Sequence, residues 1–256
     1  MTTHEDVVTA QYGSRASAYV ASIVHADGAD LDQASAWAAA TPGGRALDIG
    51  CGGGHLSYRL AAYAGSVVAY DLTPAMLSAV SVEAARRGVA NIAVQQGAAE
   101  RLPFADGAFD LVATRFSAHH WRDLDAGLRE ARRVLAPGGR ALFMDAVSPG
   151  PPLLDTFLQA IELLRDPSHG RDYAVSEWMA ALDGAGFRVD GVTTRRLRID
   201  FPSWVERMAT PPSHVVALRS LLSGCSAVVR AHFAIEPDGS FMLDTVAIVA
   251  GPAETP

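Results

Sequence analysis

The sequence predicts an α/β fold, with a seven-stranded, mostly parallel sheet, helices on both faces and an inserted helical lid. Three observations predict it. From residue 45 to 147, apolar runs of strand length alternate with segments of helical spacing, the alternation that builds a parallel sheet covered on both sides. The first strand runs into a glycine-rich stretch, Leu47-Asp-Ile-Gly-Cys-Gly-Gly-Gly54, ahead of a helical pattern. The second strand, Ser66-Val-Val-Ala-Tyr-Asp71, ends in a carboxylate, about twenty residues beyond that loop, where Rossmann-like folds deliver an acid to ribose hydroxyls.

In chain order, residues 1–40 read as a helical cover with Tyr12, Tyr19, Ile23, Leu31 and Trp37 as its contacts. Strands are expected at 45–50, 66–71, 91–96, 109–115 and 140–147. Thr73-Pro74 is a helix start, followed by Met76, Leu77, Val80 and Ala84 on one face. Asp123 caps a helix carrying Leu124, Leu128, Ala131 and Leu135, which Pro137-Gly138-Gly139 should end. Residues 148–186 are too many for a simple crossover and hold two helical patterns, Leu154 to Leu164 and Ser176 to Leu182. They are the expected lid. Strands at 187–200 and 241–250, with a helix over 203–223 between them, complete the sheet. The chain thus reads as one domain, residues 1–256, comprising the cover (1–40), a cofactor-binding core (41–147), the lid (148–186) and a closing segment (187–256).

Composition narrows the function classes. A net charge of −7, from 21 basic and 28 acidic residues, argues against nucleic acid as a partner. No stretch approaches a membrane helix and the first residues lack the pattern of a signal peptide, so no membrane insertion and a cytoplasmic location are expected. Cys51 and Cys225 stand far apart with no neighbouring ligand cluster, which predicts reduced thiols and no metal. A homodimer is compatible with the sequence, which leaves oligomeric state open.

The glycine loop chooses among cofactors. Its pattern Gly50-x-Gly52-x-Gly54, with His55 next, departs from the G-x-G-x-x-G of dinucleotide folds. Asp48 stands where those folds carry an apolar residue; a carboxylate suits an ammonium group and repels a pyrophosphate. An NAD(P)-dependent oxidoreductase is therefore the weaker alternative to a sulfonium cofactor, S-adenosylmethionine.

Four segments, Leu47-Asp-Ile-Gly-Cys-Gly52, Gly97-Ala-Ala-Glu-Arg-Leu-Pro-Phe104, Phe109-Asp-Leu-Val112 and Arg133-Val-Leu-Ala-Pro-Gly-Gly139, together resemble the class I methyltransferases of type 11, a group similar to ubiquinone and menaquinone C-methyltransferases. Ser-Ala-His-His-Trp at 117–121 and Arg-Asp-Pro-Ser-His at 165–169 resemble the YafE/YcgJ-like branch. The likeness covers nearly the whole chain. It implies an S-adenosylmethionine-dependent methyltransferase, releasing S-adenosylhomocysteine, with a small-molecule acceptor methylated at carbon, oxygen or nitrogen. Asp48 would then orient the loop and the methionine amino group, while Gly50, Gly52 and Gly54 approach through backbone. Asp71 would accept both ribose hydroxyls, Leu72 and Met76 would pack on the adenine, and Ala99 and Glu100 would edge its ring. Ala98 replaces an acid that relatives carry toward the adenine amino group. Tyr12 and Tyr19 resemble lid aromatics. Arg115, at the close of the fourth strand, would contact cofactor or acceptor. A protein that binds the cofactor without methyl transfer, or uses it in another reaction, is the alternative.

His119 and His120 follow the fourth strand at the ligand edge of such sheets and titrate near neutral pH. Adjacent residues usually point apart, so at most one of the two is expected to face the reacting group, as general base or pocket wall; a structural hydrogen bond is the plain alternative for either. Arg165, His169 and Arg171 could bind an acidic or phenolate acceptor, or shape the lid through Asp166 and Asp172.

Overall fold

The computed structural model describes residues 2–13, 15 and 28–253; Tyr19 and Ile23 lie outside them. Seven strands, β1 (Arg45–Ile49), β2 (Ser66–Asp71), β3 (Ile92–Gln96), β4 (Phe109–Arg115), β5 (Leu135–Ala146), β6 (Phe187–Ile199) and β7 (Phe241–Pro252), form one sheet in the order β3-β2-β1-β4-β5-β7-β6. The first five are parallel, and β7 runs antiparallel between β5 and β6. The strand order reverses between β1 and β4, so a crevice opens beyond their carboxyl ends, the place where open α/β sheets bind ligands.

The central strands are apolar on both faces because both are covered. Leu47, Ile49, Val112 and Phe143 face one layer with Leu128 and Ala131 of α5 (Leu124–Val134) and Trp178 and Leu182 of α7 (Val175–Gly184). Ala46, Val67, Leu111 and Leu142 face the other, with Leu31 and Trp37 of α2 (Ala29–Ala39) and Leu56 and Leu60 of α3 (His55–Ala61). The remaining described helices are α1 (His4–Gly13), α4 (Pro74–Arg86), α6 (Pro152–Arg165), α8 (Phe201–Arg207), α9 (Pro212–Gly224) and α10 (Ala227–Phe233).

Three expectations are revised. The expected lid divides: α7 buries Trp178 and Leu182 in the main core, while α6 packs with α8, α9 and α10 around Leu158, Ile161, Trp204, Leu218 and Phe233. Each buried Leu or Ile is worth about 1.5–3 kcal/mol, so α7 is bound as core. The helix expected over 203–223 breaks where Ala209 turns left-handed, at φ 47°, before Pro211-Pro212 starts α9. β5 begins at Leu135, ahead of Pro137-Gly138-Gly139, and a register shift between Phe109 and Leu111 absorbs the glycines as a bulge.

Candidate functional site

The crevice encloses about 1570 Å³ including its open mouth. Its first half is built by the glycine loop. Gly50, Gly52 and Gly54 take φ values of 68°, 50° and 80°, left-handed conformations that a side chain strains. The N–H groups of Gly50 and Cys51 donate to Tyr70 O at 2.7 and 3.0 Å, tying the loop to β2. Gly50 also packs on the next turn of chain, since a Cβ there would sit 1.7 Å from Ser117 Oγ. At Gly52 a Cβ would meet no atom of the described residues within 4 Å, and Gly52 lines the crevice. Gly54 starts α3 and lies just behind the lining.

Asp71 closes this half. Its Oδ2 accepts from Gly52 N at 2.9 Å and its Oδ1 from Thr73 N at 2.8 Å. Burial raises its pKa, and those same two amides oppose the rise. A carboxylate has about four acceptor sites, so two remain for hydroxyl donors. Asp48 is 1% exposed; its Oδ2 accepts from Ser57 Oγ at 2.6 Å while Oδ1 has no hydrogen-bond partner among the described residues. Burial pushes it up to about 7, against the Ser57 bond. An unsatisfied buried acceptor is what an ammonium group would complete. Leu72, Met76, Ala98 and Ala99 line the wall beyond Asp71. Glu100 lines it too, but its Oε1 is held by the N–H groups of Arg122 and Asp123 at 2.8 and 3.2 Å. Arg115 lines the crevice with its Nε 2.5 Å from Asp30 Oδ2 of α2, so its charge is already balanced.

The second half is built by side chains. Phe116, at φ 50°, turns the chain sharply out of β4 into a single 3₁₀ turn, Ala118–His120. Because this is a tight turn and not a strand, both histidines line the crevice, their ring centroids 4.2 Å apart. His119 Nδ1 lies 2.5 Å from Asp145 Oδ1, and its backbone N–H donates to Asp145 Oδ2 at 3.2 Å. Burial would lower this imidazole, but the Asp145 carboxylate outweighs it and holds His119 up at about 9. Among the described residues no hydrogen bond engages Nε2, and His119 lines the crevice.

His120 is engaged at both nitrogens: Nδ1 with Ser168 O at 3.0 Å and Nε2 with Tyr12 Oη of α1 at 2.8 Å. Burial and the neighbouring His119 bring it down to about 4. Tyr12 therefore meets an acceptor-side histidine as well as lining the crevice, and it also donates to Asp166 Oδ2 at 3.1 Å.

Of the three residues expected to bind the acceptor, the crevice keeps Arg165 alone. Arg165 donates from Nε to Trp204 O at 3.1 Å and lies over the Trp204 ring. His169 is buried behind the lining against Gln159 Oε1 at 3.1 Å, where burial and the other histidines drive it down to about 2. Arg171 points away, toward Asp155 and Glu177 at 3.3 and 3.1 Å. The segment that carries them is a scaffold, because the N–H groups of Gly170 and Arg171 donate to His119 O at 2.8 and 3.1 Å.

Sequence reasoning passed over Asp145, Glu162 and the aliphatic wall. Asp145 ends an otherwise apolar strand, a pattern that could have flagged it. Glu162 and Asp172 are buried and line the crevice; burial raises both, Asp172 to about 8. Leu197, Ile199 and Leu243 of β6 and β7, with Trp204, supply the apolar surface opposite. Among the described residues no cluster of His, Cys, Asp and Glu could hold a metal ion, and no helix is long and apolar enough to cross a membrane.

Residues 47–143 match the family model of a methyltransferase domain. The chain is 48% identical over 185 residues to the uncharacterized protein YafE of Escherichia coli, covering 72% of this chain and 89% of that one. It is 35% identical over 224 residues to the uncharacterized methyltransferase YcgJ of Bacillus subtilis, 88% of each chain. The crystal structure of YcgJ superposes with a TM-score of 0.84 at 33% identity, over 88% of this chain and 99% of that chain. The 2-phytyl-1,4-naphtoquinone methyltransferase of Synechococcus elongatus is 39% identical over 128 residues, 48% of this chain and 54% of that one.

Proposed function

Because this chain belongs to the class I methyltransferases of type 11, we propose that its crevice binds S-adenosylmethionine in the glycine-loop half and methylates a small hydroxylated acceptor in the histidine half. The observation that carries the reading is the His119–Asp145 pair, set in the same crevice as Asp71 and the loop it holds. Asp71 accepts the ribose hydroxyls, Asp48 Oδ1 accepts from the amino group, Leu72 and Met76 flank the base, and Ala98 leaves the adenine amino group to backbone or water.

Bound there, S-adenosylmethionine supplies an electrophilic methyl on sulfur, so no covalent link to the protein is needed. The chain's work is to align the reactants, exclude water and take one proton. His119 Nε2 accepts the hydroxyl proton while Asp145 stabilises the resulting imidazolium, which leaves an electron pair, on oxygen or through an aromatic ring on carbon, for the methyl that S-adenosylmethionine would supply. A base held near 9 suits a phenol of pKa about 10, since proton transfer is then nearly balanced, where an ordinary histidine near 6.5 falls well short. Leu197, Ile199 and Leu243 receive the apolar body of the acceptor. The naphtoquinone relative's name is consistent with an aromatic hydroxyl acceptor.

The test is calorimetric titration with S-adenosylmethionine and S-adenosylhomocysteine, followed by a screen for S-adenosylhomocysteine release over phenols, quinols, hydroxyindoles and amines. Cofactor binding lost in Asp71→Ala and turnover lost in His119→Ala support the reading. Tight binding with no release from any acceptor points instead to a binding protein or a different reaction, and absence of binding overturns the site.

A further inference from the structure

Arg165, His169 and Arg171 suggest an acidic acceptor in the sequence, but folding leaves the acceptor half with a surplus of carboxyls. Asp172 is the one without a partner. It is 1% exposed and lines the crevice, and among the described residues no hydrogen bond engages its carboxyl. Its backbone is held instead: the N–H donates to Gln159 Oε1 at 3.1 Å and the C=O accepts from Gln159 Nε2 at 2.7 Å. Gln159 lies outside the lining, so the carboxyl is what Asp172 presents to the crevice. His169 Nε2, 3.9 Å from Asp172 Oδ2, donates to Gln159 Oε1 at 3.1 Å and leaves the carboxyl unmet.

Around this carboxyl the signs do not cancel. His119 of the 3₁₀ turn and Arg165 of α6 bear on it as cations, and Glu162 of α6 and Asp145 of β5 as acids. With Asp172 itself, three carboxyls meet two positive groups. Asp166, which acts on Glu162 and Arg165 in turn, widens the surplus. His120 and His169 are held neutral, and Arg171 pairs with Asp155 and Glu177. Arg207 of α8 lines the crevice, but its charge is not among those that act most on Asp172. Burial and the neighbouring acids therefore keep a proton on Asp172, up to about 8, which neutralises a charge that no donor meets. A cation on a ligand would replace that proton and gain a charge-assisted bond, whereas a ligand carboxylate would add to the surplus.

We infer that Asp172 sets the charge class of the acceptor: its buried, partnerless carboxyl receives a protonated amine carried by the acceptor, apart from the hydroxyl that His119 engages. An ammonium has no free electron pair, so it is a handle and not the methylated atom. Together with the apolar wall of Leu197, Ile199, Leu243 and Trp204, this selects a phenol or hydroxyindole with an alkylammonium arm. The hydroxyl in that description rests on the reading of His119 above; the ammonium rests on Asp172.

The test compares tyramine, para-propylphenol and para-hydroxyphenylpropanoate by calorimetry on the full chain with S-adenosylhomocysteine, since the three share a phenol and differ in the charge of the arm. Tyramine should bind about tenfold or more tighter than para-propylphenol, and the propanoate weakest. Asp172→Asn should erase the tyramine advantage and leave the affinities for para-propylphenol and S-adenosylhomocysteine in place. Carbon-13 NMR of the Asp172 carboxyl, assigned with the same variant, should show its midpoint fall by about one pH unit or more when tyramine binds, because a nearby cation favours the ionised form. Phenethylamine, which lacks the hydroxyl, should produce the same fall. Amines that bind no tighter than the neutral phenol, an advantage that survives Asp172→Asn, or an unmoved midpoint each overturns the proposal. If the advantage survives while S-adenosylmethionine affinity alone drops in the variant, the carboxyl serves the sulfonium instead. The NMR titration needs no cofactor, so absent S-adenosylmethionine binding counts against the methyl-transfer reading alone.

Discussion

In the glycine-loop half of the crevice the shaping contacts join residues 2, 9 and 19 positions apart: Thr73 to Asp71, Ser57 to Asp48, Gly52 to Asp71. In the histidine half they reach across 26, 48 and 108 positions, from His119 to Asp145, His120 to Ser168 and Tyr12 to His120. The first half is made by backbone, with amides turned inward by left-handed glycines and two acids at strand ends. The second is made by side chains from separate elements, where burial lowers both imidazoles and the Asp145 carboxylate lifts His119 against it. One half is a rigid mould, and the other is an electrostatic balance that small changes can redistribute.

The sharpest way to separate the two is His119→Ala. Methyl transfer to a phenolic acceptor should fall by roughly 10²–10⁴, with S-adenosylhomocysteine affinity by calorimetry unchanged. The mirror experiment, Asp71→Ala, should weaken cofactor binding by about 100-fold or more, since two hydroxyl bonds to a charged group are each worth about 1.5–3 kcal/mol. Its histidine titrations should match the wild type. If either variant impairs both halves equally, the division fails.

Dependence on pH tests the balance. His119 is held up at about 9, and its neutral, proton-accepting form appears only as pH rises through that value. The kcat/KM of the wild type should therefore climb toward pH 9. In Asp145→Asn the raising influence is gone and burial remains, so the climb should move below pH 7 and the plateau drop by about tenfold, because a weaker base transfers the proton less well. An unmoved limb would assign the titration to another group.

Two smaller effects probe the joint and the periphery. Gly50→Ala puts a methyl 1.7 Å from Ser117 Oγ, the atom that accepts from Trp121 Nε1 at 3.1 Å. Thermal or denaturant unfolding should show about 2 kcal/mol lost, and turnover should fall with it, because this is where the halves touch. Arg171→Ala removes half-exposed pairs and should cost about 0.2–1 kcal/mol with no change in cofactor affinity. A large kinetic effect there would return Arg171 to the site.

The fold was legible because its signals are local. Strand and helix periods, the loop and Asp71 are all read within windows shorter than thirty residues. The errors came where tertiary context overrode a local signal. Pro137-Gly138-Gly139 looks like a helix stop and instead lies within β5, because pairing with β4 continues past it. Residues 176–182 look like part of a lid and instead fill the main core, because Trp178 and Leu182 find Phe143 and Phe187 there. Within the crevice, His119 and His120 could be singled out from residue type and position, whereas Arg165, His169 and Arg171 could not be sorted. Nothing local says that a backbone carbonyl at 119 will anchor residues 170 and 171 and turn two of the three away.

By itself the sequence determined the class of sheet, the left-handed loop and the acid that closes it, since these depend on backbone conformation and strand spacing, properties written in consecutive residues. Only the tertiary structure decided which histidine meets Asp145, that Tyr12 stands between the other and Asp166, and that Asp172 and Glu162 are buried beside them. The reason is electrostatic: a proton's position depends on distances and burial among groups that are brought together only when the chain is folded.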